Sequence, residues 1–169
     1  MKNILFSLLT FFILLSTISF AGEHKQGTIG LGWYSASAPV GGRYWVSPNI
    51  GIDLGLGYAD KNVLASTDSR FHVNIGAIID VVQTDQANFF IRPGIEMQTN
   101  ARTDAKGKQA SKMIISADLG AEYFLTGNLS LSYGHGLQIE QISGSDDLGI
   151  SALRALGADK LGFHFYFNK

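Results

Sequence analysis

The sequence predicts an all-β fold, a closed up-and-down antiparallel transmembrane barrel of about eight strands. Three observations lead there. Apolar and polar residues alternate with period two along most of the chain after Gly27, which marks strands with one greasy and one polar face. Short and long connections take turns between those runs, as in hairpins whose tight turns gather at one end and whose loops gather at the other. The polar face is built from Gly, Ser and isolated charges. Only 16% of the 169 residues are charged, against roughly 25% in a soluble domain, so this face makes a poor water-facing coat.

The first element is a leader. Met1-Lys2-Asn3 carries one positive charge, residues 4–18 are almost wholly apolar and uncharged, and Ser19-Phe20-Ala21 supplies small residues at a cleavage site. This is the pattern of a secretory signal peptide, and the apolar stretch is shorter than the roughly 20 residues of a spanning helix. Residues 1–21 are therefore expected to be the signal peptide and residues 22–169 a single barrel domain.

The strands follow in order. Ile29, Leu31 and Trp33 share one parity, and a short run covers residues 41–46. Ile50, Ile52, Leu54, Leu56 and Tyr58 alternate with Gly51, Asp53, Gly55 and Gly57. Phe71, Val73, Ile75, Ala77, Ile79 and Val81 alternate with Arg70, His72, Asn74, Gly76 and Asp80. Similar runs span residues 89–98, 112–123, 129–140 and 161–167. Short turns are expected at 47–49, around 84–85 and at 125–128. Longer polar loops are expected at 60–68, 100–110 and 142–157, with a short one at 35–39. Residues 151–156 fit either a helical turn or an extension of the last strand.

The faces can be assigned by volume. The bore of an eight-stranded barrel is only just wide enough for side chains to fill it. Glycines inside with Leu, Ile and Phe outside suit that bore; the reverse would overfill it. Aromatic residues also gather at strand ends: Tyr44, Phe89, Tyr123, Phe165 and Phe167 towards the short turns, Trp33, Tyr58 and Phe71 towards the long loops. Two such belts suit the two interfaces of a bilayer. Composition excludes other classes. A net charge of −1 without a basic block makes nucleic acid an unsuitable partner. The absence of Cys removes disulfides, thiol nucleophiles and thiolate metal sites. Gly30-x-Gly32, residues 51–57 and Gly134-x-Gly136 lie inside strands, out of the strand-to-helix context of a phosphate loop. No cofactor, metal site or catalytic centre is expected.

Two segments carry a resemblance. Gly41-Gly42-Arg43-Tyr44-Trp45-Val46-Ser47-Pro48-Asn49-Ile50-Gly51-Ile52-Asp53-Leu54-Gly55 looks like the second hairpin of the small outer-membrane barrels. These comprise the outer membrane protein A transmembrane domain, the protein X type and the opacity type. The terminal Lys160-Leu161-Gly162-Phe163-His164-Phe165-Tyr166-Phe167 is similar to their assembly signal, although Asn168-Lys169 follow where many members end on the aromatic. The resemblance spans residues 27–167. It implies a monomer in outer-membrane lipid of a Gram-negative-type bacterium, with Gly162, Phe165 and Phe167 read by the barrel-assembly machinery.

Candidate site residues lie on the polar face. Arg43, Arg70, Arg92 and Lys112 share the expected lumen with Asp53, Asp80, Glu96, Asp118, Glu122 and Glu140. Buried charges must pair, because a lone one costs several kcal/mol. Arg43 and Asp53 flank the 47–49 turn symmetrically and should face each other; Asp80 and Arg92 sit near-diagonally across the next tight turn. A network of Arg43, Asp53, Asp80, Arg92, Glu96, Asp118 and Glu122 filling the lumen is expected. His72 and His164 face the same interior without metal-ligand spacing. His135 has the parity of the apolar face, which on a membrane wall raises the idea of a lipid-modifying hydrolase. Ser130 and Ser132 point the other way, so no nucleophile is at hand. Asp104, Asp146 and Asp147 are read as solvated loop acids. The expected function is a structural or surface-interaction role, with a filled lumen and outward loops that an external partner or an antibody would meet. The alternative is a narrow porin-like channel, and a lipid-modifying enzyme is less favoured.

Overall fold

The structure is a computed structural model that describes residues 24–33, 35, 38–59, 70–103, 109–142, 148–152 and 160–167. The expected leader, the 60–68 loop, Asp104, Asp146 and Asp147 lie outside the described residues. Among the described residues nine runs of strand are present: β1 (Ile29–Trp33), β2 (Val40–Ser47), β3 (Ile50–Ala59), β4 (Arg70–Gln83), β5 (Ala87–Thr103), β6 (Gln109–Phe124), β7 (Leu129–Ile142), β8 (Leu148–Ala152) and β9 (Leu161–Phe167). Each of β1 to β7 pairs antiparallel with the next. β9 joins β7 to β1, from Ile29 opposite Phe167 to Trp33 opposite Phe163. The sheet thus closes into an eight-strand antiparallel barrel, leaving neither terminal strand as a bare edge along this seam.

The eighth wall position is made of two runs. β7 pairs with β9 over Leu129–Tyr133 and with β8 over Leu137–Gln141. Had the β9 ladder continued, Leu137 would face residue 157; it faces Ala152 instead, five residues earlier. An odd slip reverses which residues share a face with β7, because side chains alternate with period two. Much of the expected 100–110 and 142–157 loops is therefore strand: β5 runs to Thr103, β6 starts at Gln109, β7 reaches Ile142 and β8 occupies Leu148–Ala152. Alternation is weak in those polar stretches, and pairing to a long neighbour carries the strands on past it.

Each short turn is closed by a hydroxyl. Ser47 Oγ accepts the Ile50 N–H at 3.1 Å, Thr84 Oγ1 that of Ala87 at 3.0 Å, and Thr126 Oγ1 that of Leu129 at 3.0 Å. Hydroxyl-to-backbone bonds of this reach favour turns over continued strand. A bulge shifts the β4–β5 register between Asp80 and Val82, so Val81 and Val82 both face outward.

Among the described side chains the outer wall is mostly apolar. Leu54, Ile75 and Leu119 are 44%, 53% and 67% exposed, while Arg43 and Glu122 are 4% and 0%. Glycines make the interior possible. A Cβ at Gly76 would collide with the Arg92 guanidinium, and one at Gly120 would meet the Phe90 ring and sit 2.5 Å from the Tyr133 carbonyl oxygen. The interior is not only polar and small, however. Trp45, Ile78, Phe90, Phe124 and Tyr166 form an apolar cluster inside, towards the short turns. The wall glycines free the volume these rings occupy.

Closed barrels of this kind resist detergent, so the unheated protein is expected to migrate apart from the boiled protein on a detergent gel. Gly120→Val should destabilise by about 1–3 kcal/mol through overpacking and lower the temperature at which the unheated band converts. An unchanged conversion temperature would show that Phe90 has room to spare.

Candidate functional site

The chemistry of the molecule is concentrated in the barrel interior, where alternation on β2 to β7 delivers charges to one space. Asp53 (β3) receives two hydrogen bonds from Arg92 (β5), Nε to Oδ2 at 3.0 Å and Nη2 to Oδ1 at 2.8 Å. The fork-on-fork geometry suits a guanidinium and a carboxylate. Arg92 also donates to Asn74 Oδ1, and its Nη1 lies 3.6 Å from Asp118 Oδ2. Asp118 in turn pairs with Lys160. On the other side of Asp53, Arg43 Nη2 approaches its Oδ2 at 3.9 Å while Nη1 donates to Glu122 Oε1 at 3.2 Å. One line of alternating sign therefore runs Lys160, Asp118, Arg92, Asp53, Arg43, Glu122.

Arg43 and Glu122 stand on β2 and β6, strands that are not neighbours in the wall, so this pair crosses the bore. Arg43 Nη1 also donates to the Tyr166 hydroxyl at 2.6 Å, and that hydroxyl donates to Glu122 Oε1 at 2.6 Å. Ser130 Oγ donates to the same carboxylate oxygen. A buried carboxylate with several donors is far cheaper than a bare one.

Asp80 and Glu96 sit outside this line. Arg43 and Asp53 face each other across the hairpin in register, but Asp80 takes its hydrogen bonds from Asn88 Nδ2 at 2.8 Å and Gln83 Nε2 at 3.0 Å. Arg92, near-diagonal to Asp80 by register, turns towards Asp53. The β4 bulge beside Asp80 brings Gln83 within its reach. Glu96 lies nearer the long-loop end, with His72 Nδ1 3.3 Å away and Asn74 Nδ2 donating at 3.3 Å. Lys112 and Glu140 pair at 2.8 Å in the same region. The side chain of Arg70 is outside the described residues.

Of the terminal residues, Phe165 and Phe167 face outward and pack edge to face at 5.1 Å between ring centroids. Gly162 faces inward beside Ser132 and His164. His164 is buried with its Nδ1 3.9 Å from Glu122. His135 lies opposite Leu119, whose side chain is outward, and the β6–β7 ladder runs past it without a register shift. Ser130 and Ser132 are buried on the other face. No cluster of three or more His, Asp or Glu suited to a metal occurs among the described residues.

From sequence, Ser130 and Tyr166 are inward residues outside the expected charge network, and Lys160, Asn88 and His24 are not singled out. Lys160 and Tyr166 share the parity of Gly162 and His164, so alternation does point them inward. His24 precedes the first strand and carries no such signal. Between these groups, the cavity bounded by Arg43, Phe90, Arg92, Asp118, Lys160 and their neighbours has a volume of about 20 Å³, space on the order of a single water.

Arg92→Met is expected to take the Arg92 fork from Asp53, leaving the 3.9 Å approach of Arg43, and cost about 3–5 kcal/mol, while Arg92→Met with Asp53→Asn should recover most of that loss. Urea unfolding followed by tryptophan fluorescence measures both. A double variant as unstable as the sum of the single ones would show that the two side chains do not act as a pair. Comparison of the chain with protein-family models, curated proteins and solved structures finds no match.

Proposed function

We propose that the chain is a small outer-membrane β-barrel protein with a structural or surface-interaction role. One observation carries the reading: the apolar residues form the outside of a closed wall and the charged residues are inside it. Soluble monomers rarely expose contiguous apolar patches beyond a few hundred Å², whereas here the belt includes Leu31, Val40, Leu54, Ile75, Ile95, Ile115, Leu119, Leu137 and Phe163 on neighbouring strands. Hydrocarbon is the medium such a surface fits. It is also a medium in which each unpaired backbone group costs several kcal/mol, so a β-sheet in lipid must close. Outward aromatics at both ends support the reading. Tyr44, Phe165 and Phe167 flank the short-turn mouth, and Tyr58 lies opposite Phe71 at the other.

A secretory leader and a C-terminal strand similar to the assembly signal of outer membrane protein A-type barrels fit the same location. Lipid and the assembly machinery are then the partners, and the barrel works as a monomer. The paired charges and the water-sized cavity favour a plugged interior over a porin-like channel. Binding in such a scaffold belongs to the connections at the long-loop end, since loops on a rigid wall carry recognition. No catalysis is assigned to His135.

Expression with its own leader in a Gram-negative host tests the reading. The protein is expected in the outer-membrane fraction, resistant to carbonate extraction, and to give no stable current in planar bilayers. Recovery in a soluble fraction would overturn the membrane assignment. A stable open current would replace the plugged barrel with a pore.

A further inference from the structure

The segment before β1 folds back into the barrel. Gly27 has φ +86°, a left-handed conformation that L side chains rarely adopt, and it reverses the chain just ahead of the first strand. Thr28 N–H donates to the Lys25 carbonyl at 3.1 Å and Lys25 N–H donates to Thr28 Oγ1 at 3.3 Å, closing a tight turn. Gly27 N–H donates to the Trp45 carbonyl at 2.8 Å, and Trp45 N–H donates to the Thr28 carbonyl at 2.9 Å, tying the base of this turn to β2. The turn places the His24 side chain inside the short-turn mouth, where it is 0% exposed.

His24 is held by rings and one carboxylate. Its imidazole stacks on Trp45 with centroids 3.7 Å apart and planes 13° from parallel. The Tyr166 and Phe124 rings lie 4.8 and 5.3 Å away at tilted angles. Nε2 is 3.5 Å from Glu122 Oε2, the carboxylate at the end of the cross-bore line of charges. Trp45, Phe124, Tyr166 and Glu122 thus form a seat, and the imidazole fills it from below. These residues belong to three different strands, and the group that fills the space between them comes from outside the ladder altogether.

We propose that this N-terminal turn is a removable stopper for the short-turn mouth: His24 seals the polar interior from water, and unseating it opens the mouth as far as Glu122 and Ser130. The inference goes beyond the membrane reading, because it stands on the interior alone, whatever surrounds the wall. The device is local. The ladder is complete from Ile29 onward, so the turn can leave while the seam between β1 and β9 stays paired.

Thiol accessibility tests it, since the chain has no cysteine of its own. Ser130→Cys places a thiol beside Glu122, behind the stopper, and Ser116→Cys places one further along the interior, beside Lys160. Each is introduced into the full chain folded in detergent, with folding checked by heat-modifiable migration, and reacted with a water-soluble maleimide. With His24 present, both thiols are expected to react slowly. With His24→Gly, the rate at Ser130→Cys should rise by about tenfold or more while that at Ser116→Cys stays slow. His24→Phe, which keeps a ring in the seat, should restore the slow rate. The stopper is overturned if His24→Gly leaves Ser130→Cys slow, if that thiol already reacts fast behind His24, or if both thiols speed up together. Fast labelling behind His24→Phe would equally remove ring packing as the seal. If His24→Gly does not fold, Gly27→Ala, which strains the turn without touching the seat, carries the same comparison.

Discussion

The narrow bore is the constraint from which the rest of this structure follows. Eight strands enclose a column barely wider than the side chains that point into it. Every large group inside must find a gap in the opposite or neighbouring wall, and glycine is what leaves one. Arg92 lies over Gly76 and Gly94, and the Phe90 ring over Gly120. The same lack of space excludes bulk water, so the charges cannot be solvated and must satisfy one another. The line from Lys160 to Glu122 is the result: each inner member touches two groups of opposite sign, and the hydroxyls of Ser130 and Tyr166 take up further capacity of Glu122.

This line also does mechanical work that the ladders cannot. Backbone hydrogen bonds join each strand only to its neighbours, whereas Arg43 and Glu122 tie opposite sides of the wall. A buried ion pair of this kind gains little net stability over a well-packed apolar pair. What it supplies is a fixed relation between β2 and β6, in an interior whose apolar cluster lies only towards the short turns. The two zones are complementary. Rings pack where Trp45, Phe124 and Tyr166 converge with His24, and charges pair further along the bore.

Much of the architecture was legible because period-two alternation is a local signal and a closed sheet repeats it on every strand. Leu54, Ile75 and Leu119 point outward and Arg43, Asp53, Asp118 and Glu122 inward, as their parity requires. The facing of Arg43 and Asp53 was legible too, since a tight turn lies midway between them. Parity fails where the ladder is interrupted. The bulge at Val81 sends two consecutive valines outward, and the five-residue slip between β8 and β9 reverses the pattern within one wall position. Partner choice was less legible than facing: Asp80 binds Gln83 and Asn88, because a residue's parity says which side it is on and not which neighbour reaches it. Ile78 and Ile114 share the parity of Asp80 and Ser116 and so lie on the inner face, although their apolar character suits the outer one. His24 depends on a left-handed Gly27 and on rings from three strands, a long-range coincidence that no local pattern encodes.

The ladder between β1 and β9 is short, five residue pairs joining the two ends of the described barrel. It links the residues furthest apart in the chain, so its formation carries the greatest loop-closure entropy of any pairing in the wall. The hairpins, whose contacts are local, can assemble ahead of it, and the non-local step is the slow one. Folding would then stall as an open sheet with Leu161–Phe167 presenting bare N–H and C=O groups along one side. That strand also carries the outward pair Phe165 and Phe167, so until the seam forms an open backbone edge and an apolar face lie side by side.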